Sequence, residues 1–293
     1  MSDSSSRRSF LFGRQATAHD DWSKFAVTLK RACQGTVRLV AERQAQLQPA
    51  TLDDVIEARR LCQAHGVVMA LDGLALPETD KSRFVLWIEA GSAWGSLLPL
   101  GDTGLWRVDA GCPMAVMQAA GLVHTPAGAG IINLAQWFAS SNRYQPLASS
   151  DLANRLVSVD WLLPDGTIEV FGAFGAHDAQ PLGSLAAQKL VPKLFELSLS
   201  KPLQQALSQG SWPSRFHLDA LMDPHHVNLA HFFIGHAGSL GWLVAATFKK
   251  AEPVFAALPV AVAASEALTD IDTQIKHVVD PNGVFMSFVD QTG

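Results

Sequence analysis

The residues whose types and spacing most directly indicate chemistry are Gly235, Gly238 and Gly241, with His236 and Ser239 between them. Glycines at this spacing suit a backbone that turns sharply or passes close to a ligand. An apolar, strand-like segment follows directly, and a proline ends it. We call residues 235–241 the glycine loop. Its pattern is equally typical of an ordinary β-hairpin beside a sheet, so both interpretations stay open at this point.

Histidines are the next candidates, because five of the ten in the chain fall within twenty residues. No two of them are spaced as ligands on one helix, and their spacing matches no compact metal-binding motif. The sequence therefore predicts no metal site. The five are His217, His225, His226, His231 and His236.

Cys112 lies at the turn between a predicted strand and a predicted helix. A nucleophilic cysteine needs a neighbouring base to form its thiolate, and the sequence does not place one. We therefore assign no catalytic residue from the sequence.

Composition excludes several classes of function. The chain has 293 residues, of which 48% are hydrophobic, and a net charge of −5. This charge gives no basic footprint for nucleic acid. The longest apolar run, residues 254–264, is interrupted by Pro259 and is too short to span a bilayer. Three widely separated cysteines indicate a reducing compartment, so we expect a cytoplasmic protein.

The N-terminus contains Arg7 and Arg8, a pair that also occurs in twin-arginine export signals. Such a signal needs an apolar run after the arginines, but charged residues follow here. The sequence therefore predicts a disordered cytoplasmic tail over residues 1–21.

Three elements follow from capping, periodicity and turn chemistry. Thr51 is a good helix N-cap, and the spacing predicts a helix to His65. A second helix is predicted over residues 268–278. Pro164, Asp165 and Gly166 separate two β-rich segments, which predicts a hairpin over residues 156–171. Strand, helix and strand in the order seen around the first helix imply a parallel βαβ unit.

Five segments in order resemble the PCMH-type FAD-binding domain of the vanillyl-alcohol oxidase, or FAD-linked oxidase, superfamily. The glycine loop and its strand, GHAGSLGWLVAATFKKAEP, resemble the segment GSEGTLGxxTxxxLxxxP of that family. The helix beginning PATLDDV and the hairpin containing LPDGT are also similar to family elements. The matching segments are residues 48–66, 105–122, 156–171, 228–253 and 268–286.

The resemblance implies an α+β fold of two sub-domains with FAD between them. It divides the chain into the predicted tail, a small FAD-binding sub-domain (22–103), a large one (104–253), and a linker with a C-terminal helix (254–293). No histidine or cysteine in the first flavin loop could tether the cofactor, so the implied FAD is non-covalent. The implied cofactor-binding residues are Gly73, Gly128, Gly130, Gly235, His236, Gly238, Ser239 and Gly241.

The chain departs from the family pattern in three places. Asp72 brings a negative charge to the first phosphate loop, where Gly73 alone survives of the usual glycine run. Asn133 and Leu134 replace the paired glycines of the second loop. The short segment between Pro253 and the closing helix leaves no room for a substrate-binding cap.

Two hypotheses follow from the resemblance and its departures. The first is a minimal FAD-dependent oxidoreductase, or a flavin-carrying subunit, whose substrate site a protein partner completes. The second is a degenerate domain that has lost the flavin and serves as an interaction or structural subunit.

Overall fold

The computed structural model describes residues 21–123, 132–140, 151–175, 181–208, 214–222, 227–250 and 266–287. The predicted tail lies outside these residues except at its last position. Within the described residues, no helix is both long and apolar enough to cross a lipid bilayer.

Helices and strands alternate along the first half of the chain. A helix over residues 21–32 (α1) opens it. The elements that follow are β1 (Thr36–Ala41), β2 (Gln44–Gln48), α2 (Leu52–His65), β3 (Val68–Leu71), β4 (Val85–Ile88), β5 (Leu97–Pro99), β6 (Leu105–Asp109), α3 (Met114–Ala119) and α4 (Leu134–Ser140).

The second half contributes three more strands and the longer C-terminal helices. Its elements are α5 (Asp151–Arg155), β7 (Leu156–Leu162), β8 (Ile168–Phe171), α6 (Leu185–Ser198), α7 (Lys201–Ser208), β9 (Trp242–Lys249) and α8 (Glu266–Val279). Short 3-10 turns cover Glu78–Asp80, Ser92–Trp94, Leu218–Leu221 and Leu229–Phe233.

The first sheet has the strand order β1-β2-β4-β3. β1 and β2 form an antiparallel hairpin, while β2 and β3 both run parallel to β4 between them. The predicted strand–helix–strand unit is therefore present, with β4 inserted between its two strands. Helix α2 begins at Thr51, whose side chain and that of Asp54 form a reciprocal capping box. Its C-terminal stop is Gly66, in the left-handed conformation that favours glycine.

The second sheet is antiparallel, with the order β5-β6-β9-β7-β8. Strand β9 lies at its centre, paired with β6 and β7, and is buried along nearly its whole length. This burial on both faces explains why β9 reads as a continuous apolar run in the sequence. β7 and β8 form the hairpin predicted over residues 156–171.

One hydrophobic core spans both sheets. Arg59 of α2 crosses to the second sheet, where its Nε donates to the carbonyl of Pro164 at 2.7 Å. The chain after α8 returns to the first sheet and pairs Phe285 with Met69 of β3 in parallel. The two sheets are thus held together by core packing, one buried guanidinium and the C-terminal segment.

The expected α+β class is confirmed, as are the helices at 51–65 and 268–278. The strands of the first sheet lie within residues 36–88 and those of the second within 97–249. The sub-domain boundary at 103/104 stays a prediction. Pro192 lies inside α6, although proline in a helix interior removes a hydrogen bond and usually breaks the helix. Helix α6 continues past it because Ala187, Leu190, Val191 and Leu194 bury one face in the core.

Candidate functional site

The glycine loop is buried throughout and leads directly into β9. Gly235, Gly238 and Gly241 have φ values of 73°, 74° and 142°, which glycine adopts without strain. A Cβ on Gly241 would lie 2.6 Å from the carbonyl oxygen of Leu162 and 2.3 Å from Nε1 of Trp161. Glycine is therefore required there by the close approach of β7, a role that needs no ligand.

The backbone N–H groups of the glycine loop are bonded to the protein itself. Gly235 donates to the carbonyl of Phe138 at 2.9 Å, and Ala237 donates to that of Ala139 at 3.0 Å. These acceptors are the carbonyls at the end of α4. Gly238 donates to Nδ1 of His236 at 3.1 Å. The loop therefore folds against α4 and onto its own histidine.

His236 is enclosed by aromatic rings at the base of the glycine loop. Its ring lies edge-on to Trp161 with the centroids 4.8 Å apart. Burial lowers the pKa of His236 to about 3, because the charged imidazolium would be desolvated there. Nδ1 accepts from Gly238, so the proton of the neutral ring resides on Nε2.

The C-terminal segment covers the outer side of the glycine loop. A Cβ on Gly238 would lie 3.1 Å from Sδ of Met286 and 3.3 Å from Cδ1 of Leu74. The loop surface at Gly238 is thus in van der Waals contact with the chain itself. Met286 was missed by sequence reasoning, since only the pairing of residue 285 with β3 brings it here.

An ion pair between the half-buried Lys276 and the buried Asp280 fixes this covering segment to the glycine loop. Nζ of Lys276 donates to Oδ2 of Asp280 at 2.7 Å, to the carbonyl of Ser239 at 2.7 Å and to that of Phe285 at 3.1 Å. Oδ1 of Asp280 accepts from the backbone N–H of Val284 at 3.0 Å. Burial lowers the pKa of Lys276, while Asp280 opposes that shift. Ser239, predicted as a cofactor contact, donates its own hydroxyl to the carbonyl of His236 at 2.6 Å.

Gly73 makes a tight turn after β3, with a φ of 84°. The space above it is occupied, because a Cβ there would lie 2.2 Å from Nε2 of Gln136. Gln136 donates from this nitrogen to the carbonyl of Asp72 at 3.1 Å and accepts from the backbone N–H of Ile132 at 3.0 Å. Sequence reasoning missed Gln136, although its position three residues after Asn133 is a helix-capping signal.

A cleft of about 340 Å³ lies where the parallel strands of the first sheet end. Its charged residues are Asp72 and Glu89, both half-buried, and no lysine or arginine lines it. Gln46 donates to the carboxylate of Asp72 at 3.3 Å, and Gln48 donates to that of Glu89 at 3.4 Å. The cleft is therefore polar and negatively charged. Its lining residues are Gln48, Asp72, Glu89, Ala90, Gly91, Gly111, Pro113, Ile132, Asn133 and Gln136.

The remaining sequence candidates lie apart from the glycine loop or outside the described residues. Gly128 and Gly130 lie outside them, as do His225 and His226. Burial raises the pKa of Cys112 to about 11, which disfavours the thiolate at neutral pH.

Of the other histidines, His217 contacts a carboxylate oxygen of Asp219 through Nδ1 at 3.1 Å. Among the described residues, no three His, Cys, Asp or Glu side chains are grouped so as to hold a metal ion.

No family model matches the chain, and no curated protein matches it. Similar solved structures include alkyldihydroxyacetonephosphate synthase, 14% identical with a TM-score of 0.42 over 70% of this chain and 31% of its own. A carbohydrate oxidase from Microdochium nivale, in complex with a substrate analogue, is 11% identical with a TM-score of 0.43 over 77% and 42%. Both are members of the FAD-binding PCMH-type superfamily. The chain spans less than half the length of each, and at these scores the likeness carries no argument about function.

The described residues do not fit the pyrophosphate of FAD. A phosphate cradle needs several backbone N–H groups that converge on an open space. In the glycine loop, the N–H groups of Gly235, Ala237 and Gly238 donate to protein acceptors. At the cleft, both charged side chains, Asp72 and Glu89, would repel a phosphate. We therefore derive no catalytic step through a flavin.

Proposed function

We propose that this chain is a PCMH-type domain that does not hold FAD and works as an interaction subunit for another polypeptide. The observation that carries the proposal is the internal pairing of the glycine-loop N–H groups. Gly235, Ala237 and Gly238 donate to Phe138, Ala139 and His236, so the donors of this loop, whose sequence resembles a cofactor loop, are already used.

The energetics favour the closed loop over a bound phosphate. Each hydrogen bond to a charged acceptor contributes about 1.5–3 kcal/mol net, and a broken internal bond leaves a buried acceptor unsatisfied at a similar cost. Freeing the loop also requires displacing Met286 and Leu74 from Gly238. The gain from a phosphate is thus largely cancelled before the repulsion from Asp72 is counted.

Two edge strands offer places where another chain could bind. β1 pairs with β2 alone, and β5 pairs with β6 alone, among the described strands. Leu39 and Val40 of β1 are 57% and 51% exposed, and Leu98 of β5 is 56% exposed. An edge strand with exposed apolar side chains is a template for pairing with a further strand. We therefore assign the partner as a polypeptide that adds a strand at one of these edges.

The flavin part of the proposal is tested by absorbance of the purified full chain and by FAD titration, followed through quenching of flavin fluorescence. We expect a colourless protein and no quenching up to about 1 mM FAD, where binding would be worth only about −4 kcal/mol. Flavin absorbance in the purified chain, or saturable binding in the micromolar range, would overturn the proposal.

The interaction part is tested by size-exclusion chromatography with light scattering on the chain from native extract. We expect a complex, and we expect Val40→Lys or Leu98→Lys to dissociate it, since a lysine on an edge strand opposes pairing. Val27→Lys is the control, because Val27 is 49% exposed but lies on α1 rather than on an edge. A monomer in every sample would contradict this part of the proposal.

A second candidate function is a minimal flavin domain with weakly and non-covalently bound FAD. The cleft of about 340 Å³ favours it, because ligands of sheets with parallel strands bind beyond the carboxyl ends of those strands. In this alternative the glycine loop is the main contact, with Gly73, Gly128 and Gly130 as lesser ones. Asp72→Gly should then strengthen FAD binding, and Gly238→Val should abolish it. If the chain holds no flavin, neither substitution changes the FAD titration.

A further inference from the structure

Two buried N–H groups beside the glycine loop have no acceptor among the residues that the structure describes. They are Nε2 of His236 and Nε1 of Trp242. His236 is 2% exposed and Trp242, the first residue of β9, is 3% exposed. A buried donor without an acceptor is costly, so most such groups in proteins are paired with the protein or with an ordered water.

Both residues line the same small cavity. The rest of its wall is backbone and apolar side chains, with Gly238 and Gly241 on one side and Phe285 of the C-terminal segment on another. The centre of a water-sized sphere can move within a volume of about 10 Å³ inside the cavity. That is room for about one water molecule and for nothing larger.

The charge of the cavity decides which small molecule can enter it. The Gly238 N–H occupies Nδ1 of His236, which leaves Nε2 as the protonated nitrogen of a neutral ring. No lysine or arginine lines the cavity. An anion would lose its hydration there without gaining a counter-charge, whereas a neutral acceptor gains two hydrogen bonds.

We propose that this cavity binds a single water molecule, which accepts from His236 Nε2 and Trp242 Nε1 and thereby ties the glycine loop to the start of β9. The site is separate from the strand-end cleft and does not depend on whether the chain binds a flavin. The water would thus be a structural element that connects the glycine loop with β9.

The direct test is a high-resolution crystal structure of the full chain, with a second crystal soaked in sodium bromide. We expect one spherical density peak within about 3 Å of both nitrogens, and no anomalous bromide signal there. An anomalous bromide peak at the site would show that the cavity binds an anion rather than water, and it would overturn the proposal. An empty cavity, or density that continues into a larger ligand, would overturn the proposal.

A double-mutant cycle tests the bridge in solution. Trp242→Phe removes the indole N–H, and His236→Asn removes the Nε2 donor but keeps an acceptor near the Gly238 N–H. If one water links the two donors, the Tm changes are non-additive by about 2 °C or more. The control pairs His236→Asn with a tryptophan that does not touch the His236 ring, which excludes Trp161. Trp87 lies in the first sheet, where its Nε1 donates to Gln44, so the effects of Trp87→Phe and His236→Asn should be additive. Additivity of the Trp242 pair would contradict a shared water.

Discussion

The glycine loop and the strand-end cleft are two turn-rich regions with opposite physical character. In the loop, backbone donors, Lys276 and Asp280 are saturated by the chain itself, and Met286 covers the surface. In the cleft, Asp72 and Glu89 keep half-buried carboxylates facing a space of about 340 Å³. Backbone conformation at glycine does not distinguish the two regions, since Gly73 in the cleft turn and Gly238 in the loop both adopt positive φ.

The difference shows that a glycine spacing that resembles a cofactor loop can serve packing alone. Gly241 is required because residues of β7 lie so close to its Cα that a Cβ atom would clash with them. Gly238 is covered by Met286 of the C-terminal segment. The charged side chains that face open space are in the cleft, and their negative charge would repel a phosphate. The closed loop is therefore expected to contribute to stability, and the cleft to contribute little to it.

The largest expected effect is in the closed region. Asp280→Ala removes the buried carboxylate that pairs with Lys276 and leaves the backbone N–H groups of Val284 and Phe285 without their acceptor. We expect the free energy of unfolding to fall by about 3–5 kcal/mol, as when one partner of a buried pair is lost. Urea denaturation measures it, with Asp270→Ala on the exposed face of α8 as the control, expected within about 0.5 kcal/mol. Equal effects of the two changes would mean that the loop is not held by this pair.

A second effect concerns pH and His236. Because burial lowers its pKa from the ordinary 6.5 to about 3, the unfolded chain takes up a proton below pH 6.5 that the folded chain does not. The stability contributed by neutral His236 is therefore complete above pH 6.5 and is lost as the pH falls toward 3.

The matching variant is His236→Asn, which does not titrate. Between pH 7 and pH 4, the difference in unfolding free energy between the parent and His236→Asn should shift by about 3 kcal/mol in favour of the variant. Denaturation at both pH values measures it, and His277→Asn on the exposed face of α8 is the control. A difference that does not change with pH would place His236 in contact with solvent.

The smallest expected effect is in the open region. Asp72→Asn keeps the shape of the side chain and removes its charge, and its carbonyl bond to Gln136 is unaffected. We expect the free energy of unfolding to change by no more than about 0.5 kcal/mol, since the carboxylate is half-buried and weakly bonded. We expect an equally small change in the free energy of unfolding for Glu89→Gln. A loss above about 1 kcal/mol in either variant would show that the cleft is part of the stabilising core.

Local chemistry made much of the fold predictable. Thr51 caps α2, Gly66 ends it, and Pro164 to Gly166 turn the hairpin, because each acts on its own neighbours within a few residues. The candidate site was predictable only in part. Gln136 had a capping signal, but nothing in the sequence indicated that its side chain would lie over Gly73, sixty-three residues away.

The sequence by itself determined the α+β class and the principal caps and turns, because these depend on short-range sterics and hydrogen bonding. Tertiary structure decided which donors stay free. The N–H groups of Gly235 and Ala237 meet the end of α4, and Gly238 meets Met286 after the chain returns from α8. Such long-range contacts depend on how the sheets pack together, and they close the glycine loop against the rest of the chain.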